Sequence, residues 1–196
     1  MGNWTEDFKS NVIYRLDENI RMVSIALSKV DDDETWVKQN LAINTLGNQL
    51  LHIIGNLKQY VISGLGGEAD NRNREEEFNA EDGPTKDELL KQLLHLGQEV
   101  TSTIQNASEE DLLKKYKVQG FDLSGMGLVI HAVEHFSYHT GQIATLVKLV
   151  VNEPLGFYAG LDLNILNQVE DDGDLEGSDL DSKNEKKEAD DIAGKE

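Results

Sequence analysis

His131-Ala132-Val133-Glu134-His135-Phe136-Ser137-Tyr138-His139-Thr140-Gly141-Gln142 carries three of the chain's five histidines, each four residues from the next. On an α-helix a four-residue step rises about 6 Å and turns about 40° beyond one full turn, so the three rings form one stripe. Neighbours in such a stripe sit one above the other and can chelate a single ion. The outer two are about 12 Å apart along the axis and cannot share it. This helix therefore offers two ligands, and a third has to come from elsewhere in the fold.

Working outward, Ser124 opens this helix and the apolar series Ile143, Leu146, Val147 and Leu149 carries it to about Val151, where Pro154 and Gly156 end it. Phe157-Tyr158-Ala159-Gly160 reads as a docking segment, and Leu161 to Val169 as one or two weak turns. Upstream, Phe8, Val12, Leu16, Ile20, Val23 and Leu27 recur at steps of three and four, which predicts a first helix from Thr5, as N-cap, to about Lys29. Asp31-Asp32-Asp33 reads as a helix-start signal. A second helix is expected from about Glu34 to Ile62, with Leu41, Leu46, Leu50, Ile53, Ile54, Leu57 and Val61 on its buried face and His52 in its middle. Asn44, Asn48, Asn56 and Gln59 surround His52. Amides are buried only when hydrogen-bonded, so this density points to a polar cavity or, alternatively, to a solvated face.

Gly64, Gly66 and Gly67 break the chain, and a loop of about twenty residues follows, containing Arg72-Asn73-Arg74-Glu75-Glu76-Glu77-Phe78. Its two arginines are read either as an internal salt-bridge patch or as a clamp for an anionic substrate. Thr85 and Glu88 have the spacing of a capping box and start a third long helix to about Asn106, in which His95 stands without a chelating partner. Ser108 caps a short helix to about Tyr116. Val118 to Asp122 then turns the chain, with Phe121 as a plug for the bundle end.

Four long amphipathic helices with mostly short connections describe an all-α, four-helix bundle over residues 1–160. Residues 161–196 form an acidic tail. Val169 to Glu196 holds twelve Asp/Glu against four Lys/Arg, a net of −8 out of −19 for the chain, with few large apolar residues. Such a segment cannot offset its ordering entropy by burial and is expected to be disordered. The charge argues against nucleic acid as a partner, and no apolar run approaches a membrane span. The polar, acidic N-terminus lacks the pattern of a secretory signal, so a cytoplasmic location is the expectation. With no cysteine, any metal must be held by nitrogen and oxygen. His52, on the second helix, is placed to meet two histidines of the last. Three neutral imidazoles and an open position suit a catalytic divalent ion, and zinc, nickel, iron and manganese are not distinguished. The Glu-x-x-His pairs of di-iron bundles and the His-Glu-x-x-His zinc-protease motif are missing.

The spacing His131-x3-His135-x3-His139-Thr-Gly-Gln-Ile, with His52 in Leu-Leu-His-Ile-Ile-Gly-Asn-Leu, resembles the DinB/YfiT-like superfamily of metalloenzymes over about residues 5 to 158. Asn44 to Phe78 resembles a little-characterised branch of it. The resemblance implies a four-helix bundle, a homodimer, and one divalent metal on His52, His135 and His139, with His131 as a neighbour. Relatives include S-transferases using bacillithiol-type low-molecular-weight thiols and a mycothiol-dependent isomerase. The resulting expectation is a metal-dependent enzyme acting on a small molecule, possessing a thiol cofactor that Arg72, Arg74 and His131 would help to bind. The alternative is a non-catalytic metal-binding or interaction protein, in which a ligand such as Glu77 closes the site.

Overall fold

The structure is a computed structural model that describes residues 3–167. Helix α1 spans Trp4–Leu27, α2 Leu46–Leu57, α3 Arg74–Asn79, α4 Lys86–Asn106, α5 Glu109–Leu113 and α6 Gly125–Val151; strands β1 and β2 are Lys115–Val118 and Phe121–Ser124. A π-helical stretch, Lys58–Leu65, continues α2 without a break. α1 packs against α4 and α6, and α2 with its π extension packs against the same two, so the four long elements close a bundle. Its core is one cluster, with Leu16, Leu50, Ile53, Leu57, Leu89, Leu93, Leu128, Phe136 and Val147 fully enclosed.

Several boundaries follow side-chain hydrogen bonds that the apolar periodicity does not report. The N-cap of α1 is Asn3, whose side chain accepts from the backbone N–H of Thr5; Thr5 lies inside the helix. The second helix does not begin at Glu34. Asp32–Glu34 is only a 3-10 turn, with Asp32 Oδ1 accepting from the Lys86 N–H at 2.6 Å. Residues 35–45 then run as irregular chain, anchored by Trp36, whose Nε1–H donates to Pro84 O at 3.1 Å. Leu41, expected on a buried face, is 99% exposed. α2 starts where Thr45 and Asn48 form a reciprocal capping box, a device that stabilises a helix end by about 1 kcal/mol. The expected capping box at Thr85 and Glu88 is present, as is the Ser124 N-cap of α6.

The short helix after Ser108 ends at Leu113, not Tyr116, because Lys115–Val118 pairs antiparallel with Phe121–Ser124. Gln119 and Gly120 make the turn, both with positive φ (51° and 84°), the geometry that twists two strands into a tight hairpin. Phe121 is 61% exposed and plugs nothing. The docking reading of the segment after α6 is matched by contacts. Asn152 ends the helix in the left-handed region, Leu155 is buried, and Arg21 Nη1 donates to Phe157 O at 2.9 Å. Residues to Ala159 form one compact unit, and a second begins at Gly160. Residues 160–167 hold neither helix nor strand. The disorder expected of the tail beyond 167 concerns a stretch outside the described residues. No helix among the described residues is long and apolar enough to cross a membrane.

Candidate metal centre

α2 and α6 run antiparallel across the bundle, and their facing polar residues make a seam. Gln49 meets His139 and Gln142, His52 meets His135, and Asn56 meets His131. The middle layer concentrates the chemistry. The rings of His52, His135 and His139 approach pairwise with centroids 4.4 to 4.9 Å apart, and each can offer a nitrogen within 4.8 Å of the others. His52 Nε2 and His135 Nε2 are 3.1 Å apart. Nitrogens bound to one ion at about 2.1 Å in tetrahedral directions lie roughly 3.4 Å from each other, so the His52–His135 pair is spaced for a shared ion.

The tautomers point the same way. His52 Nδ1 faces Glu77 Oε2 at 2.8 Å. A carboxylate only accepts, so Nδ1 carries the proton and Nε2 presents a lone pair toward the other rings. His139 Nδ1 contacts the Gln49 carbonyl oxygen, and the Gln49 amide NH2 donates to Gln142 Oε1 at 2.7 Å. His139 is thereby also a Nδ1–H tautomer with Nε2 free. His135 reaches the same point, with its Nδ1 buried and unpartnered among the described residues. His52 and His139, neutral imidazoles with the far nitrogen tied to an oxygen, thus have the form in which histidine binds divalent metals. This donor set fits a metal ion.

Burial reinforces it. His52 and His139 are 4% and 7% exposed. Burial first, then the rings of His139, His52 and His131, holds His135 down to about 3. Burial and His52 hold His139 down to about 4, with Gln142 acting in the opposite sense. Both are neutral over the physiological range, so a metal would not have to displace protons from them.

Behind His52 lies a second network. Burial would raise the Glu77 carboxyl, but its hydrogen bonds to Arg72 and His52 more than reverse this and hold it below the usual carboxylate range. Arg72 grips it with Nε on Oε1 at 2.7 Å and Nη2 on Oε2 at 2.8 Å, while Nη1 donates to Gln59 Oε1 at 3.0 Å. Arg72 Nη2 also stands 3.1 Å from His52 Nδ1. Both atoms carry protons, so this is a close approach and not a bond. Gly55 makes the arrangement possible, since a Cβ there would fall 2.0 Å from Glu77 Oε1. Asn48, wholly buried, donates to the carbonyls of Glu77 and Ala80 and so fixes α3 against α2.

The remaining residues singled out from the sequence are placed as follows. Arg72 belongs to the internal patch just described. Arg74 is exposed and lies over the Phe78 ring at 4.7 Å, and Phe78 in turn lies 4.5 Å from the His52 ring. His131 stands one turn from His135, stacked on Tyr60 at 4.0 Å and 3.4 Å from Asn56 Nδ2, outside the converging set. Glu77 turns to His52 Nδ1, away from the nitrogen that faces the other rings. Between the α6 histidines, Glu134 is exposed and Tyr138 meets the His139 ring edge-on, and the isolated His95 lies on the surface near Glu99. The amides divide between uses: Asn48 and Asn56 are buried, and Gln59 bridges Arg72 and Asp70. The sequence reading missed Gln49. Its only signal was its position, three residues before His52 on the same helical face.

Comparison with known proteins agrees with the bundle fold. The bundle is similar to the crystal structure of a DinB-like protein from Bacillus cereus ATCC 10987, at 15% identity, covering 74% of this chain and 91% of that one with a TM-score of 0.60. It is also similar to a DinB-like protein from Bacillus subtilis, at 15% identity, covering 71% and 91% with a TM-score of 0.56. At these identities the likeness establishes the fold. No curated protein matches the chain in sequence. A family model described as "Protein of unknown function (DUF1572)" matches residues 3–157. The chain thus has the DinB-like four-helix fold and belongs to the DUF1572 family.

Proposed function

We propose that this protein is a divalent-metal-dependent enzyme, holding its ion on His52, His135 and His139 and transferring a small thiol to an electrophile. The observation that carries the reading is the division of labour around His52. Among the described residues the one carboxylate in contact with the cluster, Glu77, is bonded to the far nitrogen of His52 and held by Arg72, so the ligand set they offer is three imidazoles. Three ligands plus an open position is the pattern of catalytic sites, whereas structural sites close with a fourth protein ligand. When bound, the ion lowers the pKa of a thiol or water at its open position and so supplies a nucleophile at neutral pH.

The chain's own residues do the rest. Glu77 and Gln49 hold the His52 and His139 rings in one tautomer and orientation. His131, one turn from His135, and Arg74, across the Phe78 ring from His52, are the residues proposed to orient a small polar substrate. The thiol class rests on the DinB-like likeness, and a homodimer is proposed on the same basis.

The experiment is an assay of zinc-, nickel-, iron- and manganese-loaded protein with a panel of small thiols and an electrophile such as a chloronitrobenzene, beside His135→Ala. The reading expects turnover that falls with metal content in the variant. Turnover equal in both, or a metal retained in full by His135→Ala, contradicts it. A metal that protects against heating while no thiol reacts would favour the binding-protein alternative.

A further inference from the structure

We propose that Arg72 preserves the charge of the metal centre, cancelling the carboxylate that anchors His52 so that the ion's fourth ligand is an anion. This rests on the metal reading above and adds the class of ligand. Three neutral imidazoles leave a divalent ion its full charge. A carboxylate behind a ligand ring makes that ring more basic and normally subtracts from the charge an incoming ligand meets. Here Glu77, 8% exposed, is gripped at both oxygens by a guanidinium whose side chain is 4% exposed. Arginine does not deprotonate and its fork matches a carboxylate at two points, so the pair is neutral as a unit.

Both partners lie out of water, where solvent and salt screen little. The structure therefore obtains the ring-fixing hydrogen bond without the field of an uncompensated anion. Gly55 and Gln59 complete the device: the first leaves room for the carboxylate, and the second takes the third guanidinium bond. Arg74, stacked on Phe78 above His52, has no carboxylate partner at salt-bridge distance among the described residues, and adds to the local positive field. In a chain of net charge −19, a bound ion would make the centre a positive spot inside a negative field. Neutral ligands gain less from that spot than thiolate, hydroxide and carboxylate do.

The test uses the full chain loaded with Co2+, titrated with azide as the anion and imidazole as the neutral ligand, and read from the visible cobalt spectrum. Arg72→Met leaves Glu77 uncompensated and is expected to weaken azide about tenfold or more while moving imidazole by about twofold at most. Arg72→Met/Glu77→Gln removes both charges and is expected to return azide affinity to near wild type. Glu77→Gln alone leaves Arg72 in excess and is expected to tighten azide on the saturated protein, which keeps the test open if Arg72→Met fails to fold. Equal losses for azide and imidazole, or weaker azide binding in Glu77→Gln, overturn the proposal. A wild-type protein with no His135-dependent cobalt spectrum overturns the metal reading itself, a separate and recognisable failure.

Discussion

Glu77 Oε2 stands 2.8 Å from His52 Nδ1, so the carboxylate touches the ring on the nitrogen that does not face His135 and His139. A ring held this way presents Nε2 in a single tautomer and orientation. Glu77→Gln keeps the shape and removes the charge. Metal affinity is expected to fall about ten- to a hundredfold, as for other partners of metal-bound histidines, measured by competition against a chromophoric chelator.

Gly55→Ala tests the same contact from the other side. By helix propensity alone the change would stabilise by about 1 kcal/mol. The added Cβ, however, would fall 2.0 Å from Glu77 Oε1 and 2.9 Å from Arg72 Nε. Overpacking of this kind costs about 1–3 kcal/mol, so the expected sign is destabilising, with a loss of metal affinity in parallel. A thermal melt of the apo protein and a zinc titration check both.

Asn48→Ala removes the amide that joins the start of α2 to the end of α3. Its Nδ2 bonds to Glu77 O at 2.9 Å and Ala80 O at 2.8 Å, and its Oδ1 accepts from the Thr45 N–H at 3.0 Å. Groups left buried without partners cost about 1–3 kcal/mol each. A loss of about 2–3 kcal/mol in urea unfolding is expected, with earlier proteolysis in the stretch from Arg72 to Ala80.

The pH dependence follows from the two depressed histidines. His135 and His139 lie near 3 and 4 in the fold, against 6.5 as the reference value. Between those limits the unfolded chain binds more protons than the folded one, so stability falls as pH falls. Glu77, also depressed, works in the same direction at lower pH. Urea melts of the apo protein are expected to lose stability progressively below about pH 6.5. A His135→Leu variant should show a shallower slope between pH 6.5 and 4.

The bundle and the histidine stripe were legible because both are periodic. Apolar residues at steps of three and four mark α1, α4 and α6, and histidines four apart need no tertiary information to be placed on one face. What stayed hidden is written in single residues. The true start of α2 lies in Thr45 and Asn48, while Leu41 continues the apolar rhythm into chain that is not helical. The hairpin strands of four residues are too short to show alternation. Gln49 and Glu77 matter through bonds formed only after α2, α3 and α6 have met. Glu77 was visible as a donor near the site, but whether it would be ligand or anchor depended on Gly55 and Arg72, and no spacing encodes that.

The most direct measurement is an X-ray absorption spectrum of the zinc-loaded full chain, with metal stoichiometry taken on the same sample. The account predicts one zinc per chain and a first shell containing three imidazole nitrogens plus one exchangeable light atom, with an imidazole lost in His52→Ala. Failure to retain zinc, or a shell unchanged in His52→Ala, would contradict it.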